Sequence, residues 1–295
     1  MTAALATASR RADSIVAGEY PFTEADFRQI AALLHADAGI SLPQTKATLV
    51  YSRLAKRLRA LGLASFQDYC DLVATAEGAD ERQRMLASLT TNVTRFFREP
   101  HHFDHLHDRM LPELISEAKA GGRVRLWSAG CSSGQEPYSA AMTLLALDPQ
   151  AARHDIRILA TDIDPNVIAQ ARAGIYPQAL LAEVPADLRR RFVRASAAQP
   201  GRAQVSPELR ELITFQELNL HGPWPMKGRF DVIFCRNVAI YFEEDLQVKL
   251  WARFAEVLTA TGVLYIGHSE RVSGPAARDL APDGVTTYRR SGARP

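Results

Sequence analysis

Gly130 and Gly134 bracket the turn that follows the apolar run VRLWSAG, Glu136 stands in the first turn of the helical stretch beside Pro137, and Asp162 ends the next apolar run, ILATD. Open α/β sheets bind ligands at the carboxyl ends of their strands. A helix start there offers unpaired N–H donors, and glycine lets a ligand approach the main chain closely. An acid at the end of the second strand can accept hydrogen bonds from both hydroxyls of a ribose. The turn lacks GxGxxG, and the chain has no GKS or GKT, so a pyrophosphate fits poorly. Taken singly, the loop is equally an ordinary strand–helix turn, and either acid equally a helix cap or a surface charge. Together, two acids without phosphate-binding glycines favour a ligand that carries a ribose and a positive charge. S-adenosylmethionine, with its sulfonium and amino group, has those properties.

The segments that must position these residues follow a regular order. RVRLWSAG, PYSAAMTLLAL, IRILATDID, NVIAQARAG, FDVIFCRNV, a helix from Glu244 to Leu258, and VLYIGHSE alternate short apolar runs with helices. Such alternation implies βαβ units around a parallel sheet, an α/β fold. RRFVRASAAQPGRAQVSPELRELITF interrupts it, and the Pro200–Gly201 step predicts a hairpin, so residues of about 189–215 read as a small antiparallel insertion. Before the sheet, Thr23 reads as an N-cap with acids behind it, Gly39 as a stop, and Gly62 as the end of a helix begun near Pro43 or Thr45; Ser65 opens another helix. The division expected is a flexible leader at 1–20, an all-α domain at 21–88 and a ligand-binding α/β domain at 89–290.

Composition narrows the classes. The chain has 295 residues, 47% hydrophobic and 23% charged, which excludes a disordered chain. Its net charge of +2 gives no polyanion-binding balance overall. Cys70, Cys131 and Cys235 match no CxxC spacing, as expected of a reducing cytoplasm, and no apolar run is long enough to span a membrane.

Four longer motifs carry a resemblance. LTTNVTRFFREPHHF at 89–103, WSAGCSSGQEPYSAAM at 127–142, ATDIDPNVIAQARAGIY at 160–176 and FDVIFCRNVAIYF at 230–242, closed by GHSE at 267–270, resemble the bacterial chemotaxis protein methyltransferases. The similarity runs in matching order from about Phe22 to Tyr288. It implies a class I S-adenosylmethionine-dependent methyltransferase domain with a small antiparallel β-subdomain, preceded by an all-α N-terminal domain. The implied reaction turns S-adenosylmethionine and a receptor glutamate into a glutamate methyl ester and S-adenosylhomocysteine. By position in the motifs, the resemblance assigns Asn92, Thr94 and Arg98 to the cofactor, Glu136 to its methionine portion, Asp162 to its ribose, Asn219 and Leu220 to its adenine, and Arg236 and Asn237 to the methionyl end. Arg98 and Tyr241 are the expected catalytic residues: Arg98 steers a carboxylate, the acceptor's or the cofactor's, and Tyr241 donates a hydrogen bond to the acceptor or packs beside the methyl, the plainer readings being a helix-surface ion pair and a strand-end core aromatic. The family usually has an acid where Gln135 stands here, a neutral swap expected to alter local charge only.

The chemistry suits a site with no strong base. A glutamate with a pKa near ~4.3 is already ionised at neutral pH, so orientation carries the reaction. On the long helix, Val50, Tyr51, Leu54, Leu58 and Leu61 share one arc, and Arg53, Lys56, Arg57 and Arg59 lie largely opposite. That face is either solvated charge or, as the resemblance implies, the docking surface for acidic helices of methyl-accepting chemotaxis receptors. The β-subdomain either takes a receptor C-terminal tail as an added strand or only steadies the rim of the site. The expected protein is a cytoplasmic monomer that meets receptor arrays at the membrane without inserting, and binds no nucleic acid. His101 and His105 share a helix face within HHFDHLH, but no third ligand has metal spacing, and no metal is expected. Two other readings stand beside this one: an RNA methyltransferase, and a non-catalytic cofactor-sensing or receptor-binding module.

Overall fold

The computed structural model describes residues 13–197 and 199–291, which form two compact units. The first holds the described residues up to Thr91 together with Tyr241–Glu243; the second holds Asn92–Ile240 and the described residues from Glu244 on.

The first unit is helical. Helix α1 (Glu24–Ala38) starts at a capping box in which Thr23 and Asp26 bond each other's main-chain N–H, and it stops at Gly39, whose φ of 69° is left-handed. Helix α2 (Ala47–Leu61) follows a 3-10 turn at Gln44–Lys46 and ends at Gly62. Ser65 caps α3 (Phe66–Ala74), and α4 (Ala79–Leu89) closes the set. Phe22, Ile30, Leu34, Val50, Leu54, Leu58, Phe66 and Tyr69 are buried in this unit. The flexible leader expected at 1–20 needs correcting from Ser14 onward. Ser14 bridges Thr23, Ile15 N–H donates to Phe22 O at 2.8 Å, and Tyr20 N–H donates to the Tyr51 hydroxyl at 3.1 Å. Main-chain pairing holds that stretch, which apolar periodicity could not register; residues 1–12 lie outside the described residues.

In the second unit, α5 (His101–His105) passes through a π-helical turn at Leu106–Met110 into α6 (Leu111–Lys119). Then come β1 (Val124–Ala129), α7 (Gln135–Leu147), β2 (Ile156–Asp162), α8 (Pro165–Ala173), β3 (Ile175–Pro177), α9 (Ala186–Phe192), β4 (Val193–Ala195), β5 (Arg202–Val205), α10 (Pro207–Glu211) and β6 (Ile213–Glu217). The chain continues through β7 (Phe230–Cys235), α11 (Glu244–Val257), β8 (Leu258–Ile266), β9 (Leu280–Gly284) and β10 (Thr287–Arg290). A seven-stranded sheet runs β6-β2-β1-β7-β8-β10-β9; its first five strands are parallel, and β10 is antiparallel to both neighbours.

β7 is entirely buried and β1 nearly so, which is why both read as continuous apolar runs rather than alternating ones. A second sheet, β3-β5-β4, is antiparallel. It differs from the insertion read at 189–215: β3 joins it from upstream, and Ile213 already belongs to the large sheet as the register partner of Ile158. Three-residue strands carry too little periodicity to be seen in sequence. Among the described residues, no helix is long and apolar enough to cross a membrane.

Candidate active site

The strand order reverses between β1 and β7. Chain order runs from β1 outward through β2 to β6, then crosses back to β7 on the other side of β1. At such a switch point, the loops leaving two neighbouring strands part and leave a crevice at their carboxyl ends. Here those loops are Gly130–Gly134 and Arg236–Val238. They approach closely: a Cβ on Gly130 would stand 2.3 Å from Val238 Cγ2, and the residue's φ is +88°, so glycine is required twice over.

A closed ring of hydrogen bonds joins the segment before α5 to the ends of β1 and β2. Asp162 Oδ2 accepts Ser132 N–H at 2.8 Å, and Asp162 Oδ1 accepts Asp164 N–H at 3.1 Å. Asn92 Nδ2 donates to Asp164 Oδ2 at 3.0 Å, and the Ser132 hydroxyl donates to Asn92 O at 3.1 Å. Asp164 also caps α8 through Asn166 N–H. The two amides are directional, so they aim the Asp162 carboxylate while leaving each oxygen a second lone pair. Burial raises its carboxyl above the ordinary aspartate range, and the Asp164 and Ser132 amides oppose that rise.

The second cluster centres on Arg236, whose side chain is only 2% exposed. Nη1 donates to Glu136 Oε2 at 3.1 Å, Nη2 lies 3.4 Å from Glu99 Oε2, and Nη2 also donates to the main-chain carbonyl of Arg98. Glu136 is held from its other side by the Ser128 hydroxyl at 2.7 Å. Burial raises the Glu136 carboxyl, with Arg236 and Ser128 opposing it. Burial would raise Glu99 too, but Arg236, His268 and His102 together hold it below its ordinary value. Arg236 Nε and Asn237 Oδ1 are buried without a hydrogen-bond partner, so a polar ligand at this strand end would satisfy what the chain does not.

A third carboxylate, Glu270, fastens the β7 loop. It accepts N–H groups from Asn237 at 2.9 Å, Val238 at 2.9 Å, Ile240 at 3.3 Å and Gly267. That loop holds Asn237 at φ 60°, and Phe97, Glu99 and Ser132 are likewise left-handed in the other two loops of the site. Backbone strain of this kind costs about 1–3 kcal/mol per residue and persists only where surrounding bonds impose it.

The remaining expected residues are placed as follows. Thr94 is half-buried in the segment before α5, and Arg98 Nη1 donates to Val93 O at 3.1 Å. Asn219 accepts His221 N–H through Oδ1, and the buried Leu220 gives its carbonyl to Trp224 and Arg253. Gln135 is buried, and its Oε1 accepts the Ser133 hydroxyl at 2.9 Å. Tyr241 ends a 3-10 turn and groups with the first unit, where its carbonyl accepts Ser41 N–H.

In the first unit the basic face is largely spent. Arg53 Nη1 donates to the carbonyls of Ser88 and Thr90, and Arg57 makes two bonds, 2.6 and 2.9 Å, to the buried Glu81, which also accepts the Tyr69 hydroxyl. Arg59 pairs with Glu19 at 2.7 Å, both well exposed, and Lys56 is exposed. A wheel drawn on α2 alone could not show that α4 lies against its arginines.

Glu99, Asp164 and Glu270 were not singled out from sequence as site residues, although all three sit inside the quoted motifs. Among the histidines, it is His101 and His102 with Glu99, rather than His101 with His105, whose ligand atoms gather within 4.8 Å. His102 shares a hydrogen bond with the Thr286 hydroxyl at 2.9 Å, and burial with Arg236 and His101 drives its pKa down to about 3. The buried Cys131 and Cys235 thiols are pushed well up by desolvation, so both are neutral packing groups.

Comparison with known proteins assigns the chain to a family. A family model described as "CheR methyltransferase, SAM binding domain" matches residues 92–283, and one described as "CheR methyltransferase, all-alpha domain" matches residues 25–90. A probable chemotaxis protein methyltransferase of Rhizobium etli is 55% identical, covering 87% of this chain and 96% of its own. Chemotaxis protein methyltransferase 2 of Pseudomonas aeruginosa is 42% identical over 85% of this chain and 88% of its own. The chemotaxis protein methyltransferase of Escherichia coli is 41% identical over 85% and 86%.

Proposed function

Because this chain belongs to the CheR methyltransferase family, a family of chemotaxis methyltransferases whose second domain binds S-adenosylmethionine, we propose that its product is a γ-glutamyl methyl ester on chemoreceptors. One methyl group passes from the cofactor's sulfonium to a glutamate carboxylate oxygen, leaving S-adenosylhomocysteine.

The observation that carries the reading is Arg236 buried between Glu136 and Glu99 at the switch point. The methionyl end of the cofactor bears an ammonium and a carboxylate, and this cluster offers both opposite charges within a few ångströms. Glu136 takes the ammonium, Arg236 with Asn237 faces the methionyl end, and Asp162 takes the ribose hydroxyls. Asn219 and Leu220 border the adenine, and Asn92, Thr94 and Arg98 cover the cofactor from the other side. Arg98 and Tyr241 orient the acceptor. A carboxylate acceptor needs no base, so the chain's contribution is positioning; holding the acceptor in line is worth on the order of 7–11 kcal/mol.

Lys56 and Arg59, whose pair with Glu19 is exposed, are the basic residues of α2 that meet acidic receptor helices, because Arg53 and Arg57 are engaged inside the first unit. The protein works as a cytoplasmic monomer at receptor arrays, with the receptor tail as a further partner of the β-subdomain.

The test is transfer of labelled methyl from S-adenosylmethionine to receptor-containing membranes and, in parallel, to RNA, followed by mild alkali. Alkali-volatile methanol released from receptors is the expected outcome. Label on RNA, or cofactor binding with no label on any receptor preparation, would overturn the proposal.

A further inference from the structure

At the other end of the large sheet, where β1 and β2 begin, Arg125 and Arg157 are register partners on adjacent parallel strands. Like charges paired across strands are destabilising by themselves. Arg123 and Arg229 lie beside them, so that four arginines, three of them exposed, line one open pocket of about 270 Å³. Gly228 makes room for them, since a Cβ there would stand 2.3 Å from Arg123 Nη2.

The cavity does not balance this charge. Arg125 pairs with Asp155 at 2.7 Å, and the Asp231 carboxylate accepts Arg125 N–H. Arg157 and Arg229 bond main-chain carbonyls only, those of His154, Ile156 and Leu258, which leave their charge in place. Among the described residues, no carboxylate pairs with Arg123, Arg157 or Arg229. Leu159, Met226 and Phe230 contribute apolar surface to the same lining.

We propose that this cavity binds a small organic phosphate. The phosphate dianion lies among the forks of Arg123, Arg157 and Arg229, and the organic part rests on Leu159, Met226 and Phe230. Planar guanidinium groups recognise phosphate by paired N–H bonds, and binding removes the repulsion between neighbouring arginines. The site is separate from the methyl-transfer crevice, which lies at the carboxyl ends of the same strands.

The test titrates the full chain, saturated with S-adenosylhomocysteine to keep the crevice filled, with phenyl phosphate, AMP and inorganic phosphate, by calorimetry and thermal melting. Phenyl phosphate and AMP should each bind saturably, more tightly than inorganic phosphate, and raise Tm. In the Arg157→Gln/Arg229→Gln variant their affinity should fall by about tenfold or more, the loss expected for charged hydrogen bonds. The affinity for S-adenosylhomocysteine should not change. Without any phosphate, Arg157→Gln should melt no lower than the parent, because it removes a like-charge pair. Absence of saturable binding, affinity unchanged in the double variant, or inorganic phosphate binding tightest would each overturn the proposal. So would binding confined to RNA or a phosphopeptide, which would make the patch a macromolecular surface.

Discussion

The Arg236 guanidinium stands 3.1 Å from the Glu136 carboxylate, and that one contact ties the end of β7 to the start of α7 across 100 residues of chain. Both groups are nearly out of water, with side-chain exposures of 2% and 12%. A buried pair of this kind is costly to break, because the survivor keeps its desolvation penalty.

Glu136→Gln should therefore weaken S-adenosylhomocysteine binding by about tenfold or more, from the loss of a charged acceptor. Calorimetry measures it directly, and unchanged affinity would remove Glu136 from the cofactor site.

The same group sets a pH dependence. Burial raises its carboxyl above the ordinary glutamate value, so it takes up a proton on the acid side earlier than a surface glutamate does. Cofactor affinity should be full well above that raised value and should fall as pH drops through it. Glu136→Gln should flatten the profile; an equally steep decline in the variant would assign the titration elsewhere.

Glu270→Ala strands the four N–H groups of Asn237, Val238, Ile240 and Gly267. Water can reach some of them, so a stability loss of about 2–4 kcal/mol is expected, from roughly 1–3 kcal/mol per stranded buried group. Because the same loop presents Arg236 and Asn237, cofactor affinity should fall at temperatures where the variant stays folded. Glu270→Gln, which keeps an acceptor oxygen, should recover part of both. A melt that drops while affinity is untouched would confine Glu270 to a purely structural role.

Arg57 and Lys56 separate stability from docking. Arg57→Ala should destabilise the first unit by about 1–3 kcal/mol, because it leaves the buried Glu81 with only the Tyr69 hydroxyl and the exposed Arg84 at 4.0 Å. Reversing Lys56 and Arg59 to glutamate should leave Tm nearly unchanged, since both residues are exposed and solvent screens the Arg59–Glu19 pair. It should lower kcat/KM for receptor methylation by roughly tenfold at low salt, an effect that fades as salt screens it. Normal kcat/KM at low salt would remove α2 as the docking surface.

Tyr241→Phe and Arg98→Ala divide orientation from cofactor binding. The proposed roles require a fall in single-turnover methyl transfer at saturating cofactor, of about 10²-fold for a misplaced acceptor. Loss of cofactor affinity alone, with transfer unchanged at saturation, would make both binding residues only.

Residue types and local spacing determined the helical first unit, the βαβ order, the glycine turn, the acid at a strand end and the acid in a first helical turn. Capping, glycine stops and apolar periodicity act over a turn or two of chain, and they are written wherever the residues stand. Thr23 with Asp26, Gly62 after α2 and Asp162 after ILATD are legible for that reason. What only the tertiary structure decided are partnerships between residues far apart: Glu270 with Asn237, Glu99 with Arg236, and Asn92 with Asp164, separated by 33, 137 and 72 residues. The fate of α2's arginines belongs with them, because α4 turns Arg53 and Arg57 from surface charges into internal ties. A buried polar group must find its partner wherever the fold brings one, and no periodicity along the chain encodes that meeting.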